Sequence, residues 1–191
     1  MPVIISMLRG VNLGRHNRIK MDALRSLYIW LKFRNPQTFI QSGNVIFETS
    51  ENDLALLSKR IENAIHRKFG FRPDVVLRTA AELRDIVANT PFPSRRNLEP
   101  SKILVTFLAD APDAQASKAL LEINCHPEEV HIRGRELYIY FPNGMARPKL
   151  AWPLIEKTLK VRGTGRNWGS VTKMLQLAES FEAATRIGQG S

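Results

Sequence analysis

Cysteine is almost missing from this chain. One thiol, Cys125, in 191 residues excludes a disulfide framework and a cysteine-rich metal site; a lone thiol of this kind reads as a small hydrophobe rather than a nucleophile. Long apolar runs are missing too. The longest near the start is residues 3–8, interrupted by Ser6. It is too short for a membrane span or a signal-peptide core, and no cleavage-type segment follows it. A cytoplasmic protein with no membrane span is expected. Histidine is scarce, with His16, His66, His126 and His131, and no two stand at the i, i+4 spacing that sets two metal ligands on one helix face. Glu128 and Glu129 are adjacent, so a strand would point them to opposite faces, a poor geometry for an acid/base pair. The glycine-rich segment 163–169 lacks the spacing of a phosphate-binding P-loop, and Ser170 stands where the lysine would be needed. No catalytic motif, metal or cofactor is expected.

Acidic residues are in deficit. Lys plus Arg number 28 against 18 Asp plus Glu, a net charge of +10. Residues 1–50 hold seven basic and two acidic side chains, residues 145–175 seven and one, and residues 51–144 balance to zero. The excess thus lies in two separated segments, which attracts polyanions such as nucleic acid or phosphorylated metabolites. The remaining composition, 43% hydrophobic and 24% charged, belongs to a globular chain able to bury a core.

Periodicity gives the order of elements. Residues 3–8 read as a buried strand, and Met21, Leu24, Leu27, Tyr28 and Leu31 recur at helical spacing up to Asn35-Pro36, where a helix should stop. Residues 37–41 and 45–49 read as two strands around the turn Ser42-Gly43-Asn44. Leu54, Leu57, Ile61, Ala64 and Ile65 mark a second helix with Gly70 as its cap, followed by a strand at 74–78. This β-α-β-β-α-β order is the ferredoxin-like motif. After a short helix at 80–88, the order starts again with a strand at 103–108, a helix around 116–123, strands at 129–132 and 137–141, and a helix at 150–160. The fourth strand of this second half is not visible; a basic glycine loop at 161–169 and a helix take its place. The expectation is an α+β protein of two tandem ferredoxin-like halves with antiparallel sheets, at 1–89 and 101–191, joined by a linker at 90–100 and closed by a C-terminal helix.

Three polar segments carry the candidate ligand-binding residues. Arg9, Asn12 and Lys20 lie in a Gly/Asn/Arg loop between a strand and a helix, where glycines let the backbone bend and turn N–H groups outward. Gln41, Ser42 and Asn44 interrupt an apolar run at a hairpin. Arg166, Asn167, Trp168 and Lys173 surround a helix start, whose unsatisfied N–H groups favour an anion. Tight turns, helix capping and core packing are the structural alternatives at each. In an antiparallel motif the end of strand one and the start of strand three coincide, so the first two segments meet. Chemistry alone suggests that Arg166 and Asn167 join them in one site. Tyr138 and Tyr140 share a strand face, and packing against another layer explains them better than base stacking.

Met7-Leu8-Arg9-Gly10-Val11-Asn12-Leu13-Gly14, the stretch Thr38 to Phe47 and Thr164-Gly165-Arg166-Asn167-Trp168-Gly169-Ser170-Val171 resemble the signatures of a bacterial family catalogued as domain of unknown function 1697. The resemblance implies an α+β fold of ferredoxin-like halves and supplies no activity, cofactor or catalytic residue. Arg15 stands where family members tend to have a second glycine. The leading functional expectation is a non-catalytic binder of a phosphate-bearing polyanion, nucleic acid or nucleotide. The alternatives are an enzyme acting on a small anionic metabolite, in which Arg166 and Lys20 clamp the charge, and a structural protein whose basic surface is incidental.

Overall fold

The computed structural model describes residues 1–92 and 99–188. The chain divides into two compact units, Met1–Asp85 with the chain from Lys173 onward, and Ile86–Thr172. Six of the residues read as a linker, 93–98, lie outside the described residues.

In unit one, β1 (Val3–Leu8), α1 (Met21–Trp30), β2 (Arg34–Phe39), β3 (Asn44–Glu48), α2 (Leu54–Phe69) and β4 (Val75–Thr79) follow in order. The strands form an antiparallel sheet in the order β2-β3-β1-β4. β1 is central, which explains why its run of apolar residues is unbroken by alternation: all six side chains are buried. The helices cover one face. Leu24, Leu27 and Tyr28 of α1 and Leu57, Ile61 and Ile65 of α2 pack on Ile4, Leu8, Val45, Phe47, Val75 and Leu77. Ser6 shares that face, and its hydroxyl meets the Tyr28 hydroxyl at 2.8 Å, so two buried polar groups satisfy each other. Asp53 caps α2 by accepting from the N–H groups of Ala55 and Leu56, and Gly70, at φ 80°, ends it as expected.

The first helix is shorter than its apolar pattern predicts. It stops at Trp30, and Lys32, at φ 64°, turns the chain. Asn35-Pro36 lies within β2 instead of ending a helix. β2 is an edge strand, where a residue without an N–H is tolerated, and the register slips between Arg34 and Gln37 as a bulge.

Helix α3 (Ala80–Ala88) begins in unit one and ends in unit two. A short 3-10 turn, Pro100–Lys102, leads into β5 (Ile103–Leu108), followed by α4 (Ala114–Leu121), β6 (Glu129–Arg133), β7 (Glu136–Tyr140), α5 (Trp152–Leu159) and β8 (Gly163–Asn167). The second sheet, β6-β7-β5-β8, repeats the topology of the first. Pro153 sits in the first turn of α5, the place where a helix accepts it.

The segment expected to be a basic loop is thus largely strand β8, and the second half has its fourth strand. The reason it gave no strand signal is steric. Cβ atoms at Gly163 and Gly165 would come 2.8 Å from the Phe107 carbonyl oxygen and 3.3 Å from Leu104. Close approach of β5 requires glycine, and glycine erases the alternation from which strands are read. Helix α6 (Trp168–Gly188) follows at once. No helix among the described residues is long and apolar enough to cross a membrane.

Candidate functional site

The first two polar segments meet in unit one. The Leu8 N–H donates to the Gly43 carbonyl at 3.0 Å, and the Arg9 N–H to the Asp74 carbonyl at 2.9 Å. These bonds root the loop 9–20 between the hairpin and the start of β4. Asn12 then fixes the loop from inside. Its amide donates to the carbonyls of Ile19 at 3.0 Å and Gln41 at 2.7 Å, and its carbonyl accepts from the Ile19 N–H at 2.9 Å. Asn12 holds a left-handed backbone at φ 59°, a conformation asparagine tolerates better than most residues. Gly43 is required where it stands: φ is +74°, and a Cβ there would meet Leu8 at 3.0 Å. Asn44 is fully buried and donates to the Phe39 carbonyl at 3.1 Å and the Ser42 hydroxyl at 3.0 Å. Both donors of each asparagine amide are therefore engaged within the protein. The Arg9 guanidinium pairs with Asp74 at 3.3 Å.

What this scaffold displays is positive charge. Arg15, His16, Arg18 and Lys20 are all exposed on the clamped loop, and Arg15, Arg18 and Lys20 form no ion pair among the described residues. Leu8 pairs with Val75 in the sheet, so the end of β1 and the entry to β4 share one edge of the fold. The C-terminal turn of α2, with exposed His66, Arg67 and Lys68, and then Arg72, leads into that entry. Arg72 donates to Asn63. These α2 cations escaped the sequence reading because the acids of residues 51–144 cancel them in a segment sum. The readable signal was local: basic residues crowd the last helical turn, where they also complement the helix dipole.

Arg166, Asn167 and Trp168 belong to unit two, and Lys173 opens the second stretch of unit one. Arg166 is buried in β8 and donates to the Thr164 hydroxyl at 2.7 Å and the Gly165 carbonyl at 2.9 Å. Burial lowers its guanidinium to about 10, still protonated at neutral pH. Asn167 caps α6: its side-chain oxygen accepts from the Ser170 N–H at 2.8 Å. Trp168 is half-buried and Lys173 exposed.

Unit one holds a counterpart that the sequence reading missed. Arg78 of β4 lies opposite Ile5 as Arg166 of β8 lies opposite Val105. Both are buried on the sheet face away from the unit's first two helices, and Arg78 is 1% exposed. Each precedes a helix cap, Asn167 for α6 and Thr79 for α3, where Thr79 and Glu82 exchange hydrogen bonds in a capping box. A buried arginine one residue before a capped helix is thus repeated once per unit. Only the alignment of the two sheets reveals it, since Leu77-Arg78-Thr79 and Gly165-Arg166-Asn167 have little else in common.

Tyr138 packs as expected. It is 2% exposed, and its hydroxyl donates to the Ile86 carbonyl at 3.2 Å. Unit one also contains an open cleft of about 570 Å³, lined by Arg25, Arg34, Asn35 and Glu48 and by Leu177 and Phe181 of α6. Asn35, at φ 49°, donates to the buried Glu48 carboxylate at 2.9 Å.

A family model described as a protein of unknown function (DUF1697) matches residues 1–138. Among solved structures, the conserved bacterial protein SP0830 from Streptococcus pneumoniae is similar in fold, with a TM-score of 0.70 at 20% identity over 93% of this chain and 98% of that one. No curated protein matches the chain.

Proposed function

The chain belongs to the DUF1697 family of proteins of unknown function, and from that premise we propose that it binds a phosphate-bearing polyanion, without catalysis, through the basic edge of unit one. The observation that carries this reading is the loop 9–20, clamped from inside by Asn12 and displaying Arg15, Arg18 and Lys20 with no acidic partner among the described residues. A fixed loop holds cations apart at little entropic cost on binding. Guanidinium forks then meet phosphate oxygens, and release of condensed counterions supplies most of the affinity. In this reading Asn12, Ser42, Asn44 and the Arg9–Asp74 pair position the loop and Gln41, while Lys20 and the two arginines touch phosphate. In unit two, Arg166 and Asn167 shape the start of α6, through the Arg166 bonds to Thr164 and Gly165 and the Asn167 cap, and lie outside this edge.

The test is binding of a labelled oligonucleotide across a salt series. Association at low salt should fall steeply as salt rises, and Arg15→Glu with Arg18→Glu should flatten the log–log slope by about 0.7–0.9 for each phosphate that is no longer neutralised. An absence of association with DNA and RNA at low salt overturns the reading.

A second reading, an enzyme acting on a small anionic metabolite, is favoured by the cleft, where two arginines and the Asn35–Glu48 pair face one concavity. It predicts salt-insensitive binding of a small phosphorylated or carboxylated compound that Arg34→Ala weakens.

A further inference from the structure

Trp30 is the last residue of α1 and is 63% exposed. The core does not need it: Leu24, Leu27 and Tyr28 already form the buried stripe of that helix, with Leu31 buried just past its end, and a residue two places after Tyr28 points to the opposite side. It lines an open groove of about 610 Å³ whose other walls are Ser26 and Leu27 of α1 and Ala64, Arg67 and Lys68 of α2. The groove therefore combines a large exposed indole, two small residues that let a flat group approach, and two cations. Arg67 forms no ion pair among the described residues, and the Lys68 ammonium stands 5.7 Å from the Phe69 ring. Lys59, Arg60 and His66 line a separate groove on another side of α2, which Arg67 also borders, and Glu62 is the helix's one acidic residue.

We propose that the polyanion is single-stranded nucleic acid, with one base stacked on Trp30 and the flanking phosphates held by Arg67 and Lys68. The inference rests on the polyanion reading above and adds what that reading lacks, a surface for the bases. Each base of a single strand can offer its π-face to an aromatic side chain, and stacking of this kind is tolerant of sequence. A duplex keeps its bases stacked on one another and offers phosphates and base edges, with no base π-face, to such a groove. The charge fits the same ligand, since cations beside the indole match a strand whose phosphates alternate with its bases.

The experiment compares a short single strand with a duplex of equal length, against wild-type protein and the Trp30→Ala, Trp30→Phe and Arg15→Glu/Arg18→Glu variants, each first checked for an unchanged melting temperature. Trp30→Ala is expected to weaken single-strand binding about ten-fold or more, to leave duplex binding unchanged, and to be largely rescued in Trp30→Phe. Arg67→Ala should weaken the strand and flatten its salt slope by about 0.7. Equal affinity of Trp30→Ala and wild type for the strand, with Arg15→Glu/Arg18→Glu weakening both nucleic acids, overturns the groove and leaves the polyanion reading standing. Binding of neither nucleic acid by the wild type at low salt overturns both. Trp30-dependent binding to phosphatidylserine vesicles with none to the strand also overturns the proposal and assigns the indole to a lipid surface.

Discussion

At the scale of single residues, Asn12 shows how the loop's shape depends on one side chain. Its three hydrogen bonds and its left-handed backbone act together. Asn12→Ala is expected to cost about 1–3 kcal/mol, from unmade hydrogen bonds and a strained backbone. It should also weaken oligonucleotide binding with no change in charge. Asn12→Gly relaxes the backbone and leaves the bonds unmade, so urea midpoints of the two variants separate the contributions. Tyr138 supplies a pH prediction. Burial, with the charge of Glu136, pushes its phenol from an ordinary 10.0 up to about 12. The unfolded chain gives up this proton first, so the hydroxyl's contribution is whole below about pH 10 and is lost as pH rises toward about 12. Urea midpoints should therefore fall less steeply between about pH 9 and about pH 11 in Tyr138→Phe than in the wild type.

At the scale of elements, β8 and β2 are the two that depart from their patterns, and for different reasons. β8 is a strand of glycine and polar residues because its neighbour comes too close for side chains. Gly163→Ala forces a Cβ against a backbone oxygen at 2.8 Å, whereas Gly165→Ala meets the flexible Leu104 side chain at 3.3 Å. The first is expected to destabilise by about 1–3 kcal/mol and the second by clearly less, an order that thermal melts of the two variants check. β2 carries Pro36 because it is an edge. Helix periodicity up to Leu31 is real, yet the last turn opens at Lys32, where a positive φ redirects the chain.

At the scale of the whole molecule, charge and connectivity are arranged differently from their order in the sequence. Basic residues from the balanced middle of the chain join the basic N-terminal loop at one edge of unit one, while Arg78 and Arg166 are withdrawn from the surface. The chain also returns to unit one at Lys173. There Arg84 pairs with Glu182 at 2.7 Å and Glu179 at 3.2 Å, and Met174 and Ala178 are fully buried. Ending the chain after Thr172 removes those buried side chains and should destabilise residues 1–85. Hydrogen exchange there should speed up, and a peptide covering 173–188 supplied in trans should restore part of the protection.

The order of elements, the antiparallel ferredoxin-like topology and the meeting of loop 9–20 with the hairpin were legible in the sequence. They depend on local quantities: the period of apolar residues, the residues that stop helices, and the alternation of strand directions in a split motif. So was the cap at Gly70, because a positive φ has few residue solutions. The fourth strand of the second half was not legible, since its residues answer to β5 across a van der Waals gap and not to their neighbours in sequence. Nor was the burial of Arg166, whose guanidinium on paper is the same donor as that of exposed Arg15. The tertiary structure decided that one arginine is buried and the other displayed. It also engaged the asparagine donors within the loop and hairpin, and set Trp30 beside Arg67 and Lys68. Sequence spacing carries the chemistry of a side chain; only packing determines whether solvent, and hence a ligand, can reach it.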